Sequence, residues 1–197
     1  MSLLPDDAGT IPNEARLRLL DLRERVETFD GARPHDDIAR QAIREAIEGG
    51  LEGNAGVGCL IVDPDGQVLV SDRNRMLAPR FRSDLHAEMS ALNLYEDGHP
   101  DGGDLRGHTL ITSLEPCEMC TIRIINSAVT TTLYVASDVG KGGITGPNAL
   151  APHWARLAEP LTFAQADCSE ELSDISLEVF TTTIGGVVEK MMARRRR

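Results

Sequence analysis

Aromatic residues make up only 4% of this 197-residue sequence, and cysteines number four. Nowhere do about 18 apolar residues follow one another, which excludes a membrane-spanning helix. The opening stretch MSLLPDDAGTIPNE lacks the basic start, apolar run and small-residue cleavage site of a secretory leader, so a cytoplasmic location is the expectation. Basic residues are also few, 20 against 31 acidic for a net charge of −11. That balance opposes a polyanionic partner, because nucleic-acid affinity rests heavily on neutralised phosphates, and it favours a small-molecule substrate. The arginine run at residues 194–197 is the exception and reads as a solvated, frayed end. Scarce aromatics do not mean disorder, since 41% hydrophobic and 26% charged content are ordinary for a globular protein.

The length favours one domain. Within it the sequence divides into a helical extension at residues 1–50, a core at 51–160, and a second helical extension with its basic tail at 161–197. Residues 14–29 carry Leu17, Leu20, Val26 and Phe29 at roughly helical spacing. Asp36 or Asp37 can cap a helix whose apolar stripe is Ile38, Ala42, Ile43, Ala46 and Ile47, closed by Gly49 and Gly50. The period then changes. Residues 57–62 are a β-prone run, residues 63–66 (DPDG) are strong turn chemistry, and residues 67–70 return, which predicts an antiparallel hairpin. A helix over 85–95, a strand over 108–112, a helix to about 127 and a strand over 131–136 follow. Such alternation implies parallel strands covered by helices, hence an α/β fold with a mixed sheet. The loop VGKGGITGPN at 139–148, a short helix near 151–157 and a helix within 170–192, weakened by Gly185 and Gly186, complete the pattern. Gly140, Lys141, Gly142 and Gly143 lack the phosphate-loop pattern and read as a mobile loop able to close over a substrate.

Half of the scarce thiols stand together in Ser113–Cys120, SLEPCEMC. Pro116 has no N–H and is preset for a first helical position, which puts Cys117 and Cys120 in one turn and on one face. A helix N-terminus favours thiolate, the form that binds metal. A redox dithiol is the rival, though Glu118 disfavours thiolates. Upstream lies His86-Ala87-Glu88. Positions two apart on a helix differ by about 200° around the axis, so His86 and Glu88 serve one ion only if it sits over the helix end. One imidazole and two thiolates then leave a fourth position open for water, with Glu88 as its base. A closed site recruiting Cys59, Cys168 or another histidine is the structural alternative; Cys59 reads as a small hydrophobe in a strand. His35, His99, His108 and His153 are assigned no chemistry.

His86-Ala87-Glu88 followed by Pro116-Cys117-Glu118-Met119-Cys120 resembles the zinc-dependent cytidine deaminase superfamily, with its H-x-E…P-C-x-x-C pattern. The resemblance covers about residues 54 to 145 and includes the pair Asn74-Arg75; the wording LEPCEMC is most similar to the branch of guanine deaminases and tRNA adenosine deaminases. It implies a three-layer α/β/α fold and Zn²⁺ held by His86, Cys117 and Cys120. It further implies Glu88 as proton shuttle, Asn74 as partner of the substrate ring, and a lining from the Ala87 N–H and the carbonyls near Ser113 to Glu115. Asn54 to Gly58, a longer loop from Asn74 to His86, and Arg123 depart from the branch's usual pattern. The implied reaction replaces an exocyclic amine by oxygen on a small nucleobase or nucleoside, a guanine-type purine before cytosine or a nucleotide. The runner-up is adenosine in tRNA, for which Arg73, Arg75, Arg80 and Arg82 are the best support, and a zinc-stabilised scaffold without activity stands third. Similar deaminases associate as dimers or larger homo-oligomers, so a homodimer is implied.

Overall fold

Strand β1 (Gly58–Val62) is buried along its whole length, and its side chains alternate between two cores. Leu60 and Val62 pack into one, Cys59 and Ile61 into the other. A strand of this kind needs cover on both faces, and the helices supply it. The structure is a computed structural model that describes residues 11–101, 103–138 and 150–196; the loop expected at 139–148 and Arg197 lie outside them.

The sheet has the order β2-β1-β3-β4-β5, with β2 at Val68–Arg73, β3 at Thr109–Leu114, β4 at Thr131–Ala136 and β5 at Thr162–Gln165. The β1–β2 and β1–β3 pairs are antiparallel, β3–β4 and β4–β5 parallel. This is the expected mixed α/β sheet with its hairpin. Strand β2 runs three residues past the expected end because Ser71, Asp72 and Arg73 stay in register with β1, out to Gly58 opposite Arg73. Polar residues suit an edge strand with one wet face. Strand β5 was not anticipated; only four residues long and without a buried side chain, it has neither an apolar run nor a clear alternation.

One face carries α1 (Asn13–Thr28), α2 (Asp36–Leu51) and the first half of α6 (Glu170–Arg195); the other carries α3 (Ala87–Gly98) and α4 (Glu118–Ser127), with the short α5 (Pro152–Ala158) beside α4. Leu19, Leu22 and Val26 of α1, Ile43 and Ile47 of α2, and Leu172 and Ile175 of α6 are fully buried in a single core with Leu60 and Ile111. Each such side chain contributes about 1.5–3 kcal/mol. Gly58 is demanded by that packing: a Cβ there would lie 2.2 Å from the Ala42 carbonyl and 2.6 Å from the Ala46 nitrogen of α2.

Asp36 is not the cap the sequence suggested. It is the first residue of α2, and its buried carboxylate accepts the Arg33 N–H at 2.9 Å, the Ser169 N–H at 2.7 Å and the Ser169 hydroxyl at 2.9 Å. Ser169 is the N-cap of α6, so one carboxylate ties the starts of two helices distant in sequence. The last helix runs unbroken through Gly185 and Gly186 to Arg195. Arg194 is no frayed end, since its guanidinium stacks over the Phe81 ring at 3.7 Å. Among the described residues no helix is long and apolar enough to cross a membrane.

Candidate metal centre and its pocket

His86 and Cys117 occupy the same structural position in two neighbouring helices. Each is an N-cap with extended backbone, φ −70° and ψ 164° for His86, φ −70° and ψ 168° for Cys117. The helix at Cys117 starts later than Pro116 would allow. The Glu115 N–H still donates to the Ala136 carbonyl at 2.8 Å, so the chain stays with the sheet up to the residue before the proline. Two helix N-termini therefore converge on one point, with Cys120 brought in by the first turn of α4. An N-terminus carries partial positive charge, which favours thiolates there.

The three donor atoms form a nearly regular triangle. His86 Nδ1 lies 3.6 Å from Cys117 Sγ and 3.7 Å from Cys120 Sγ, and the two sulfurs are 3.6 Å apart. Bonds of about 2.3 Å to sulfur and 2.0–2.1 Å to nitrogen at tetrahedral angles place sulfurs about 3.8 Å apart and sulfur and nitrogen about 3.6 Å apart. The triangle fits a zinc ion. Both sulfurs are free thiols rather than a bonded pair. The hydrogen bond from Cys120 holds the Cys117 thiol down to about 4 against its burial, His86 assisting. The same contact, with burial, pushes Cys120 up, and the Cys117 thiolate raises His86. Three donors competing for positive charge at one point are placed for a cation. Among the described residues they are the one His/Cys/Asp/Glu group so arranged; Cys59 and Cys168 are buried elsewhere and close no fourth corner.

Glu88, 3% exposed, lies in the first turn of α3 beside this triangle. Burial pushes its carboxyl up, the Cys117 thiolate adding to the effect. The Thr112 hydroxyl on β3 donates to its Oε1 at a long 3.4 Å. Two corners of the triangle, His86 and Cys117, border a cavity of about 210 Å³ together with Glu88, while Cys120 is fully buried outside its lining. Of the residues expected at the site, Asn74, His86, Glu88, Glu115 and Cys117 line it. The Asn74 Oδ1 accepts the Met76 N–H at 3.0 Å, which turns its NH₂ group outward as a donor. Ala87 and Ser113 are fully buried and not in the lining. The Ser113 carbonyl is taken at 2.6 Å by the Ser176 hydroxyl of α6, and its own hydroxyl accepts the Gly58 N–H.

The model of the family described as "Cytidine and deoxycytidylate deaminase zinc-binding region" matches residues 32–136. The chain belongs to this deaminase family. The match begins at α2 and so takes in the helix on the far face of the sheet. Relatives of the deaminase include a probable cytosine deaminase of Schizosaccharomyces pombe, 34% identical over 50% of this chain and 58% of that protein. A tRNA-specific adenosine deaminase of Streptococcus pyogenes is 30% identical over 53% and 60% respectively. A tRNA(Ile)-lysidine synthase of Deinococcus deserti is 31% identical over 62% of this chain but 23% of its own length. The chain spans less than two thirds of each of these relatives. Among solved structures, a guanine deaminase from Nitrosomonas europaea superposes with TM-score 0.58 at 18% identity, covering 88% of this chain and 95% of that one. A tRNA:A34 deaminase gives 0.56 at 22%, covering 71% and 95%. At these identities the likeness speaks for the fold.

The departures from the guanine and tRNA deaminase branch have structural uses. The Asn54 Oδ1 accepts the N–H groups of Leu77 and Ala78 at 2.8 and 2.9 Å, which pins the loop between β2 and α3. Arg123 pairs with Glu96 and braces α4 against α3, the two helices that carry the donors. Arg73 is held by Glu45 and Glu52, Arg75 by Asp72, and Arg82 by Asp84. Three of the four arginines that suggested RNA are thus already neutralised within the protein. Sequence reasoning missed the rest of the lining, above all Phe180, Ile184, Val187 and Met191 of α6. Their spacing of four, three and four was the available signal.

Proposed function

We propose that this chain is a zinc-dependent hydrolytic deaminase that replaces the exocyclic amine of a small nucleobase or nucleoside by oxygen, a guanine-type purine before cytosine. The observation that carries the reading is the donor triangle, open toward a cavity at whose wall a buried carboxylate waits. His86, Cys117 and Cys120 hold the ion. When bound, zinc supplies a water acidified to a pKa of about 7, a nucleophile at neutral pH. Glu88 takes the proton from the attacking water, delivers it to the ring nitrogen, and then helps the amine depart as ammonia. One C–N bond breaks, and the oxygen of water becomes the new oxo group. The Asn74 NH₂ donates to an acceptor on the ring and fixes its orientation. Glu115, whose Oε2 accepts the Asp138 N–H at 3.2 Å, and Asp138 also line the cavity and give its wall carboxylate character.

Ammonia release from a panel of free bases, nucleosides, nucleotides and a tRNA anticodon arm tests this, with Glu88→Gln as the blank. Glu88→Gln keeps its zinc by elemental analysis and loses about 10²–10⁴-fold in kcat; undiminished turnover removes Glu88 from its role. Adenosine in tRNA is the second reading, supported by the tRNA-specific relative. Release from the RNA alone, with binding that falls steeply as salt rises, decides for it.

A further inference from the structure

Helix α6 changes character half-way. Up to Ile184 it is stitched to the body of the protein: the Ser176 hydroxyl donates to the Ser113 carbonyl at 2.6 Å, the Thr183 hydroxyl oxygen accepts the Gly56 N–H at 2.8 Å, and Leu172, Ile175 and Val179 are fully buried. Gly56 belongs to this seam, since a Cβ there would meet Val179 at 2.6 Å. Gly185 and Gly186 come next, and an added Cβ at either meets nothing within 4 Å. In residues 185–196 only Val187 is buried. Met191 packs half-buried against the second core, Val188 and Met192 are exposed, and Arg194 clasps Phe81.

The pocket borrows from both halves. Phe180 and Ile184 line it from the stitched half, Val187 and Met191 from the other, all on one stripe. The reacting amine must face the metal corner, so the rest of the substrate faces the remaining lining, to which α6 gives four side chains. The cavity of about 210 Å³ compares with about 150 Å³ for a site that takes benzene. A one- or two-ring base fits such a space. A ribose, which nearly doubles the heavy atoms, meets Val187 and Met191 unless it turns toward the open side of the cavity.

We propose that the distal half of α6 determines the specificity of the pocket: Val187 and Met191 admit free bases and exclude their sugar-bearing forms. The proposal rests on the deaminase reading and narrows it. Because Val187 and Met191 reach the pocket by apolar contact, and Arg194 clasps Phe81 at the surface, shortening these side chains relaxes the limit without dismantling the site.

The test compares kcat/KM for a free base and for its nucleoside in the full-length zinc-loaded protein, wild type against Val187→Ala, Met191→Ala and the double variant. Calorimetric binding of the deaminated base and of its nucleoside runs beside it. The ratio of base to nucleoside falls about tenfold or more in the double variant, through a lower KM for the nucleoside, while zinc content holds. Should the double variant fail to fold, the single Met191→Ala at a half-buried position and Arg194→Gln at the exposed clasp move the ratio the same way by less. A wild type that already takes nucleosides as readily as bases overturns the proposal, as does a selectivity and nucleoside affinity unmoved in folded variants. Ammonia released from a nucleoside or an RNA but from no free base overturns this inference alone; a wild type that releases none from any base, nucleoside, nucleotide or RNA overturns the deaminase reading itself, and this inference falls with it.

Discussion

Helices α3 and α4 meet the cavity end-on, whereas α6 meets it side-on. An end-on helix presents its N-cap, its unpaired N–H groups and its positive dipole end, which suits anionic donors; here those caps are His86 and Cys117. A side-on helix presents a stripe of side chains, and here the stripe is apolar. The first geometry concentrates function in a few irreplaceable atoms. The second spreads it over several side chains, each of which can change by degrees.

Substitutions should separate the two walls. Cys117→Ser breaks the end-on wall outright: zinc measured by elemental analysis drops far below one per chain and ammonia release disappears with it. A variant that keeps both would dissolve the distinction. Asp36→Ala strikes the anchor of the side-on wall far from the cavity. Its lost partners on Ser169 and Arg33 cost about 2–3 kcal/mol, a Tm lower by roughly 5–10 °C, while kcat of the folded enzyme stays near wild type.

Acid sharpens the same point. Burial works to raise the Asp36 carboxyl, but the hydrogen bonds from Ser169 and Arg33 outweigh it and hold it below the ordinary range. A folded-state value below the unfolded one, about 3.9, contributes stability that is fully present above that pH and fades as pH falls through the folded value. The Tm gap between wild type and Asp36→Ala therefore narrows on acidification; a gap that widens would contradict the assignment. The smallest effect is the reverse of damage. Gly185→Ala meets no neighbour and should stabilise by about 0.5–1 kcal/mol, seen as a Tm higher by roughly 1–4 °C.

The two walls also differ in how far they could be read from the sequence. His86, Cys117 and Cys120 lie in two short stretches, and their residue types carry chemistry at fixed spacing, so the group that could hold a metal was legible; Glu88 as a base followed from the same stretch, and Asn74 from the family resemblance alone. The hairpin followed from the change of hydrophobic period between residues 50 and 70, and the α/β class from the alternation of helix and strand patterns between residues 85 and 136. Phe180, Ile184, Val187 and Met191 were not legible as lining, because α6 also buries Leu172, Ile175 and Val179 in the other core. A helix apolar on two faces loses the one-sided pattern by which a buried face is recognised. Asp36 and the paired arginines escaped for a different reason: their partners, Ser169, Glu45 and Glu52 among them, are set by the fold and leave no mark in local spacing.

The order of the elements along the chain has a consequence for biosynthesis. His86, Cys117 and Cys120 precede Phe180 to Met191 in the chain and leave the ribosome before them. Helix α6, made after the donor residues, then adds the apolar wall beside them.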